Sequence, residues 1–328
     1  MRHCAIHFAE QFHTHLADEK PDLLFCSDML NLAEFLSLAP EVVRSLPAVV
    51  YFHENQLTYP VRCESERDYQ FAMTNMTTAL AANTIWFNSA FHRDSFLQAL
   101  ETFLKRMPDY QPLDAISRIR DKCLICPPGV ETPDQPVKEK PGSLRILWAA
   151  RWEHDKNPDD FFAALKILKS NRLDFRVSVI GERFRGEPEV FVWAKKHFAE
   201  HIDRWGYQQS RNDYEQALRW ADVFVSTANH EFFGITAIEA TLAGAHPVLP
   251  RRLAYPEIFT GNRDTCADEF FYNNNVESLA AKLIELAQRK QQHSLQTNDL
   301  TRLRQSLHHY QWQNHAKVLD SNLNKLAP

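Results

Sequence analysis

The chain has 328 residues, of which 44% are apolar and 24% are charged, and its formal net charge is −5. This length predicts two domains, each large enough to bury its own core, and the apolar content excludes disorder of the whole chain. The sequence has no uncharged apolar run of about 18 residues, and its N-terminus lacks the pattern of a signal peptide. We therefore expect a cytoplasmic protein with no membrane segment.

The negative charge is concentrated in the first part of the chain. Residues 1–133 contain 11 Lys and Arg against 17 Asp and Glu, whereas the remainder has a net charge of about +1. This balance argues against general electrostatic affinity for nucleic acid, so any basic patch would have to form in three dimensions. Glycine-rich fingerprints for dinucleotides and P-loops are absent from the sequence, which excludes those two nucleotide-binding motifs.

Short apolar runs alternate with longer amphipathic stretches, which is typical of a parallel α/β sheet. The chain begins with a predicted helix over about 3–18. The strands predicted in the first half are Leu23–Cys26, Ala48–Phe52, Thr84–Phe87 and Cys123–Cys126. The helices predicted between them cover about 31–46, 65–82 and 89–105. We expect a Rossmann-like domain over residues 1–133.

A proline-rich stretch from Pro127 to Gly142 predicts the domain boundary. A second α/β series follows, with strands predicted at about Arg145–Ala149, Arg176–Ile180, Val223–Ser226, His246–Leu249 and Glu269–Tyr272. The helices predicted in this half lie near 157–170, 187–199, 211–220, 235–243 and 275–290. We expect a second Rossmann-like domain over 134–300 and a helical tail over 301–328.

The most informative motif is the run from His230 to Ala240, in which Glu231 and Glu239 stand eight residues apart. It follows a predicted strand, so Glu231 should lie at the carboxyl edge of the sheet, where open α/β sheets bind ligands. Gly234 permits close approach of the backbone, and the helix that starts after it can hold an anion. Two carboxylates beside such a turn suit the hydroxyls and phosphates of a nucleotide-sugar, although two solvated charges would give the same spacing.

A second charged loop follows the first strand of the second domain. It contains Arg151 and Lys156 and precedes a predicted helix, so it should occupy the same carboxyl edge as Glu231. Two cations at this place would neutralise a diphosphate leaving group without a metal ion. A charged loop between strand and helix is common, but its combination with the pair of Glu residues is not.

With both motifs in view, the chain resembles the GT-B retaining glycosyltransferases of family four. The run Tyr51-Phe52-His53-Glu54-Asn55-Gln56-Leu57-Thr58-Tyr59-Pro60 and the run Phe87-Asn88-Ser89 are similar to the tRNA-queuosine α-mannosyltransferase group. The resemblance implies two Rossmann-like domains with parallel sheets facing a cleft, and a C-terminal helix that returns to the first domain. Family members begin with a strand and a small-residue loop, so we expect a first domain that lacks both.

The resemblance also implies roles for individual residues. His53 and Glu231 would act on the transferred sugar as the catalytic pair. Residues with a role in donor binding would be Arg151, Lys156, Phe233, Gly234, Ile235, Thr236 and Glu239. Residues on the acceptor side would be Glu54, Asn55, Gln56, Asn88 and Ser89. The reaction implied is retaining transfer of mannose from GDP-mannose to a hydroxyl of the queuosine nucleoside of tRNA, with no other cofactor and no metal.

Two other functions remain open from the sequence. The acceptor could be a lipid or a polysaccharide, or the protein could bind a nucleotide-sugar or RNA without catalysis, because its N-terminus is shortened relative to the family. Metal sites are weak hypotheses. The run His197-Phe198-Ala199-Glu200-His201 matches a zinc pattern, H-x-x-E-H, but it lies at the end of a Lys-rich surface helix.

Overall fold

The computed structural model describes residues 3–15, 21–61, 67–132, 141–183, 186–260 and 267–326. The chain divides into two compact units. Unit 1 comprises Met1–Pro128 together with His315–Pro328, and unit 2 comprises Gly129–Asn314. The boundary predicted between residues 133 and 134 lies outside the described residues.

Unit 1 contains a four-stranded parallel sheet with the strand order β1-β2-β3-β4. Its strands are β1 (Leu24–Ser27), β2 (Ala48–Phe52), β3 (Thr84–Phe87) and β4 (Cys123–Ile125). Its helices before the domain boundary are α1 (Cys4–His15), α2 (Leu32–Leu38), α3 (Glu41–Arg44), α4 (Tyr69–Ala81), α5 (Ala90–Leu104) and α6 (Asp114–Arg120).

Both faces of the two central strands of unit 1 are buried, which explains why all their residues except Thr84 are apolar. Val50 and Phe52 point into a core shared with the helices α1 to α6. Val49, Tyr51 and the neighbouring Trp86 point to the opposite face, which is covered by Leu319, Leu323 and Leu326 of the C-terminal segment. The last helix of the chain therefore completes the core of unit 1.

Unit 2 contains a six-stranded parallel sheet with the strand order β10-β9-β8-β5-β6-β7. Its strands are β5 (Leu144–Ala149), β6 (Phe175–Ile180), β7 (Ile202–Gly206), β8 (Val223–Val225), β9 (His246–Pro250) and β10 (Phe271–Tyr272). The strand order reverses between β5 and β8. In sheets of this kind, the crevice beyond the carboxyl ends of two such strands is the ordinary position of a ligand.

The helices of unit 2 connect these strands and cover the sheet. They are α7 (Pro158–Ser170), α8 (Glu189–His197), α9 (Arg211–Trp220), α10 (Ile235–Leu242), α11 (Tyr255–Phe259), α12 (Ala267–Phe270), α13 (Val276–Gln291) and α14 (Asn298–Leu307). The final helix, α15 (Trp312–Asn324), begins in unit 2 and continues into unit 1. Among the described residues, no helix is both long and apolar enough to cross a membrane.

Several predicted elements have different boundaries in the structure. The helix predicted over 31–46 is two helices, because Pro40 lacks the amide hydrogen that a continuous helix needs and instead caps α3. The tail is also two helices, separated by a 3₁₀ turn at His308–Tyr310. Glu269 lies in α12 rather than in the last strand. β7 was not predicted, because this strand is only partly buried and therefore lacks an apolar run.

Candidate functional site

A cavity of about 260 Å³ lies at the point where the strand order of unit 2 reverses. Its walls include residues that follow β5 and β8 and the first turn of α10. The charged and polar side chains in this lining are Arg151, Lys156, Ser226, Thr227, Glu231, Thr236 and Tyr255. The two predicted motifs thus meet at one cavity, as their common position after parallel strands requires.

Lys156 is the central cation of this cavity. Its Nζ donates a hydrogen bond to the carbonyl of His230 at 2.7 Å. The same Nζ lies 3.3 Å from Oδ2 of Asp155 and 3.5 Å from Oε2 of Glu231. The lysine and Asp155 are both buried. Its charge is therefore balanced by two carboxylates before any ligand binds, which the sequence analysis did not predict.

Glu231 is fixed by its own turn. Its Oε1 accepts hydrogen bonds from the amides of Phe232 and Phe233 at 3.2 and 3.4 Å, while Oε2 faces Lys156. Desolvation by burial lowers the pKa of the preceding His230 to about 4, so that imidazole is neutral at pH 7. The carboxylate of Glu231 is thus held in one orientation at the cavity wall.

Gly234 connects this turn to α10. Its φ of +93° is in the left-handed region, and a Cβ there would lie 2.9 Å from the ring of Tyr255. Gly234 is the N-cap of α10 and offers no side chain to the first amides of the helix. These amides and the helix dipole provide a place for a phosphate at the cavity wall.

Glu239 is a buried carboxylate on α10. It is 4% exposed, and its carboxylate accepts hydrogen bonds from Arg211 at 3.0 Å and from the hydroxyl of Tyr214 at 2.6 Å. Burial raises the pKa of the Glu239 carboxyl, and the bonds from Tyr214 and Arg211 oppose this shift. Both partners come from α9 and were missed, because a lone Arg and Tyr on a polar helix give no recognisable spacing.

A second cavity of about 370 Å³ shares Ala149, Ala150, Arg151 and Thr236 with the first. Its lining also includes Arg211 and Tyr214, so Glu239 lies directly behind this wall. Arg151 borders both cavities and lies 3.6 Å from Glu153. The two remaining predicted donor residues lie outside both linings: the Phe233 ring is buried against Tyr310, and Ile235 is exposed.

The loop after β2 in unit 1 presents His53. Its imidazole is exposed and packs on the ring of Tyr51, with 4.5 Å between the ring centroids. Partial burial lowers the pKa of His53, so its ring is neutral at pH 7. A neutral imidazole can accept or donate a proton or hydrogen bond at this position.

Three buried polar side chains hold the backbone of this loop. The amide of His53 donates to Oδ1 of Asp28 at 3.0 Å, and its carbonyl accepts from Asn88 at 3.0 Å. The amide of Gln56 donates to Oδ1 of Asn75 at 2.9 Å. Asp28 follows β1, Asn88 follows β3, and Asn75 lies in α4. We call them the loop clamp.

Asp28 is the one ionisable member of the loop clamp. It is 2% exposed, and burial raises its pKa to about 7. Among the described residues, its second oxygen, Oδ2, has no hydrogen-bond partner. Asp28 and Asn75 were not singled out by the sequence analysis, because each is a single polar residue in an otherwise ordinary element.

The predicted acceptor-side residues divide into structural and exposed groups. Asn55 is fully buried and turns the loop by accepting from the amide of Thr58 at 2.9 Å. Ser89 caps α5. Asn88 also bonds to the ring of His92 at 2.8 Å. Glu54 and Gln56 bond to each other at 3.2 Å and are both partly exposed.

The described residues contain no group of three or more His, Cys, Asp or Glu side chains arranged to hold a metal ion. In the H-x-x-E-H run, the two histidines have separate partners. His197 stacks on Trp193, whereas His201 stacks on Phe175 and bonds to its carbonyl. The run is therefore part of the surface packing of unit 2.

Comparison with known proteins identifies the family. Residues 1–130 match the model described as tRNA-queuosine alpha-mannosyltransferase N-terminal, and residues 131–301 match glycosyl transferases group 1. A tRNA-queuosine alpha-mannosyltransferase from Drosophila melanogaster is 32% identical over 314 residues, covering 86% of this chain and 82% of that protein.

More distant similarities fit the same fold. A GDP-mannose-dependent alpha-(1-6)-phosphatidylinositol dimannoside mannosyltransferase of Mycobacterium tuberculosis is 25% identical over 282 residues, covering 84% of this chain and 67% of that protein. The structure of a sucrose-phosphate synthase from Thermosynechococcus elongatus superposes with a TM-score of 0.69 at 14% identity, covering 97% of this chain and 77% of that one. The fold is that of the GT-B glycosyltransferases, and the chain belongs to the tRNA-queuosine alpha-mannosyltransferase family of group 1 glycosyltransferases.

Proposed function

We propose that this glycosyltransferase moves mannose from GDP-mannose to a hydroxyl of queuosine in tRNA, with retention of the anomeric configuration. The observation that carries the proposal is the match of residues 1–130 to the tRNA-queuosine N-terminal model, since the group 1 match alone does not distinguish acceptors. Both relatives described above are named as mannosyltransferases, and one name specifies GDP-mannose. An acceptor in tRNA is the basis for proposing that the enzyme acts in the cytoplasm.

The donor would bind along the two adjoining cavities of unit 2. Arg151 borders both, and the uncapped start of α10 faces the first, so the diphosphate would lie between them. The nucleoside would lie in the second cavity, where Glu239 stands behind Tyr214 and Arg211. The mannose would lie beside Glu231, whose carboxylate is suited to accept hydrogen bonds from sugar hydroxyls.

Lys156 would act mainly by holding Glu231. Its two carboxylate neighbours already balance its charge, so it adds little free positive charge toward the diphosphate. Stabilisation of the leaving group would come from Arg151 and the amides of α10, which are preorganised and need no reorganisation during the reaction. This arrangement supports a reaction without a metal ion.

The transfer would occur on one face of the sugar. The bond between the anomeric carbon and the diphosphate oxygen breaks, and the acceptor oxygen forms its new bond from the same side. The proton of the acceptor hydroxyl passes to the departing diphosphate, which becomes GDP. Proximity and electrostatic stabilisation then supply the rate enhancement, and no carboxylate nucleophile is required. The clamped loop with its neutral His53 would serve transfer rather than donor binding.

The test uses GDP-mannose labelled in the sugar and queuosine-containing tRNA. We expect label in the tRNA, α-configuration of the product by NMR, and no label in tRNA that lacks queuosine. Glu231→Ala should slow transfer strongly while GDP still binds. Equal labelling of tRNA with and without queuosine, or no labelling of either, would refute the proposed acceptor.

The second candidate is mannose transfer to a lipid acceptor. It is favoured by the similarity to the phosphatidylinositol dimannoside mannosyltransferase. The same labelled donor offered to phosphatidylinositol mannoside vesicles distinguishes the two acceptors. Only a labelled lipid product would be extracted into organic solvent.

A further inference from the structure

A cluster of cations and aromatic rings lies on unit 2, away from the cavities described above. It occupies the C-terminal halves of α7 and α8, and four of its members are lysines. We call it the α7–α8 basic patch, and it consists of Lys166, Lys169, Trp193, Lys195, Lys196 and His197. Part of it is the H-x-x-E-H run, which was predicted to lie at the end of a Lys-rich surface helix.

The centre of the patch is a pair of stacked rings. Trp193 is 44% exposed, and its ring lies 4.7 Å from that of His197 with 14° between the planes. Lys169 joins the two helices here, since its Nζ donates to the carbonyl of His197 at 2.8 Å. Partial burial, Lys169 and Lys166 together lower the pKa of His197. The two lysines of α7 are thus close to the ring pair on α8.

Most of the lysine charges in this patch are not balanced by an ion pair with a carboxylate among the described residues. Lys169 lies 3.4 Å from Glu200. Lys166, Lys195 and Lys196 are exposed, and within the described ranges none of them forms an ion pair. This is unusual for a chain with a net charge of −5, whose donor-site cations are paired with carboxylates.

Lysines near a helix C-terminus are favoured by the helix dipole, and this effect alone could account for their position. It does not account for the exposed Trp193, because a large ring in water gains nothing from the dipole. Exposed aromatic rings between cations are the combination that binds nucleic acid, the rings by stacking on bases and the cations by contacting phosphates.

The distance between the patch and the donor cavities indicates how large a molecule must be to contact both. α7 and α8 run antiparallel to the strands, so their last turns lie at the amino edge of the sheet. The donor cavities lie at the carboxyl edge, and strands of six residues separate the two edges by about 20 Å. A single nucleoside cannot reach both places, whereas a folded RNA can.

We propose that the α7–α8 basic patch binds the tRNA acceptor at a point remote from the modified nucleoside, with Trp193 stacking on an exposed base and the lysines contacting phosphates. The inference rests on the proposed function, because it takes RNA to be the acceptor. The patch supplies the positive surface that the composition of the chain does not.

The first experiment measures the Kd for queuosine-containing tRNA by fluorescence anisotropy at about 0.1 M salt. We expect the triple variant Lys166→Glu, Lys195→Glu, Lys196→Glu to weaken binding roughly 10- to 100-fold and to reduce the slope of log Kd against log salt by about 2 to 3. A control variant reverses two exposed lysines outside the patch, Lys317 and Lys325, and should weaken binding much less for each charge reversed.

The second experiment uses Trp193→Ala, which leaves every charge in place. We expect about 5-fold weaker tRNA binding from the loss of one stacked base, with an unchanged salt slope. Circular dichroism melting checks that each variant is folded. If the triple variant fails to fold, Trp193→Ala still decides the question.

Free queuosine nucleoside separates this inference from the proposed function. The triple variant should transfer mannose to the nucleoside at the wild-type rate, while its KM for tRNA rises. Equal tRNA affinity of wild type, triple variant and Trp193→Ala would overturn the patch without affecting the proposed function. Tight tRNA binding by wild type with no transfer to tRNA or nucleoside would refute the proposed function. The Kd values of wild type and variants would still show whether the patch binds tRNA.

Discussion

The donor site of unit 2 and the His53 loop of unit 1 are built in different ways. In the donor site the functional groups are charged, and they are fixed by one another: Glu231 by Lys156, and Glu239 by Arg211. In the His53 loop, the functional ring is uncharged, and the loop clamp fixes the backbone that bears it.

This difference has a physical basis. A site for a diphosphate needs charge, and charges at a partly buried position are tolerated only when they are paired. A site that orients an imidazole instead needs its backbone held in a fixed position. Buried hydrogen bonds to that backbone hold it without a strong electrostatic field. Removing a side chain from the donor site should therefore disturb the balance of charges. Removing a side chain from the loop clamp should instead displace the His53 loop.

The largest effect is expected for Lys156→Ala. The substitution leaves buried Asp155 and partly buried Glu231 without their cation, which should lower the free energy of unfolding by about 3–5 kcal/mol. Chemical denaturation measures this. Lys105→Ala removes a cation from an exposed pair with Glu101 and should change the stability far less. Similar losses for both variants would show that the Lys156 network is not a buried charge cluster.

Arg151→Ala should affect the ligand more than the fold. Its side chain is 41% exposed and lies 3.6 Å from Glu153, so stability should change by less than about 1 kcal/mol. GDP affinity should fall by about 2 kcal/mol, the scale of a hydrogen bond to a charged group. Calorimetric titration should give the same Kd with and without EDTA, and a metal requirement would contradict the proposed role of Arg151.

Asn88→Ala tests the loop clamp. It removes the hydrogen bond to the carbonyl of His53, so we expect transfer about tenfold slower, corresponding to about 1.4 kcal/mol. The control is Asn83→Ala, which removes a bond to the amide of Ala48 at the other end of the same strand. The control should lower stability without slowing transfer by folded protein. Equal slowing in both variants would count against positional control.

A further prediction concerns the pH dependence of stability that Asp28 introduces. Burial raises its pKa from the ordinary 3.8 to about 7 in the folded protein, so the folded state binds the proton more tightly than the unfolded state. The stability contributed by the protonated form is therefore full below about pH 4 and is lost as pH rises toward 7. Asp28→Asn should remove this slope. Parallel stability curves for wild type and variant between pH 4 and 7 would disprove it.

The sequence predicted those parts of the molecule that have a local signal. Ala48–Phe52 and Thr84–Phe87 were predicted with their observed boundaries, because both faces of these strands are buried and all their residues except Thr84 are apolar. The edge strand β7 was missed because it is half exposed. Residues placed beside a motif only by the tertiary fold, such as Arg211, Tyr214 and Asp28, have no signature in spacing.

The most direct test of the account compares GDP binding in wild type, Glu239→Ala and Asn88→Ala by calorimetric titration, with transfer rates measured on the same preparations. The account predicts that Glu239→Ala weakens GDP binding by at least tenfold, about 1.4 kcal/mol, because the buried carboxylate organises Arg211 and Tyr214 at the cavity wall. Asn88→Ala should bind GDP as wild type does and transfer more slowly. Loss of GDP affinity in Asn88→Ala equal to that in Glu239→Ala would contradict the division of labour between the donor site and the His53 loop.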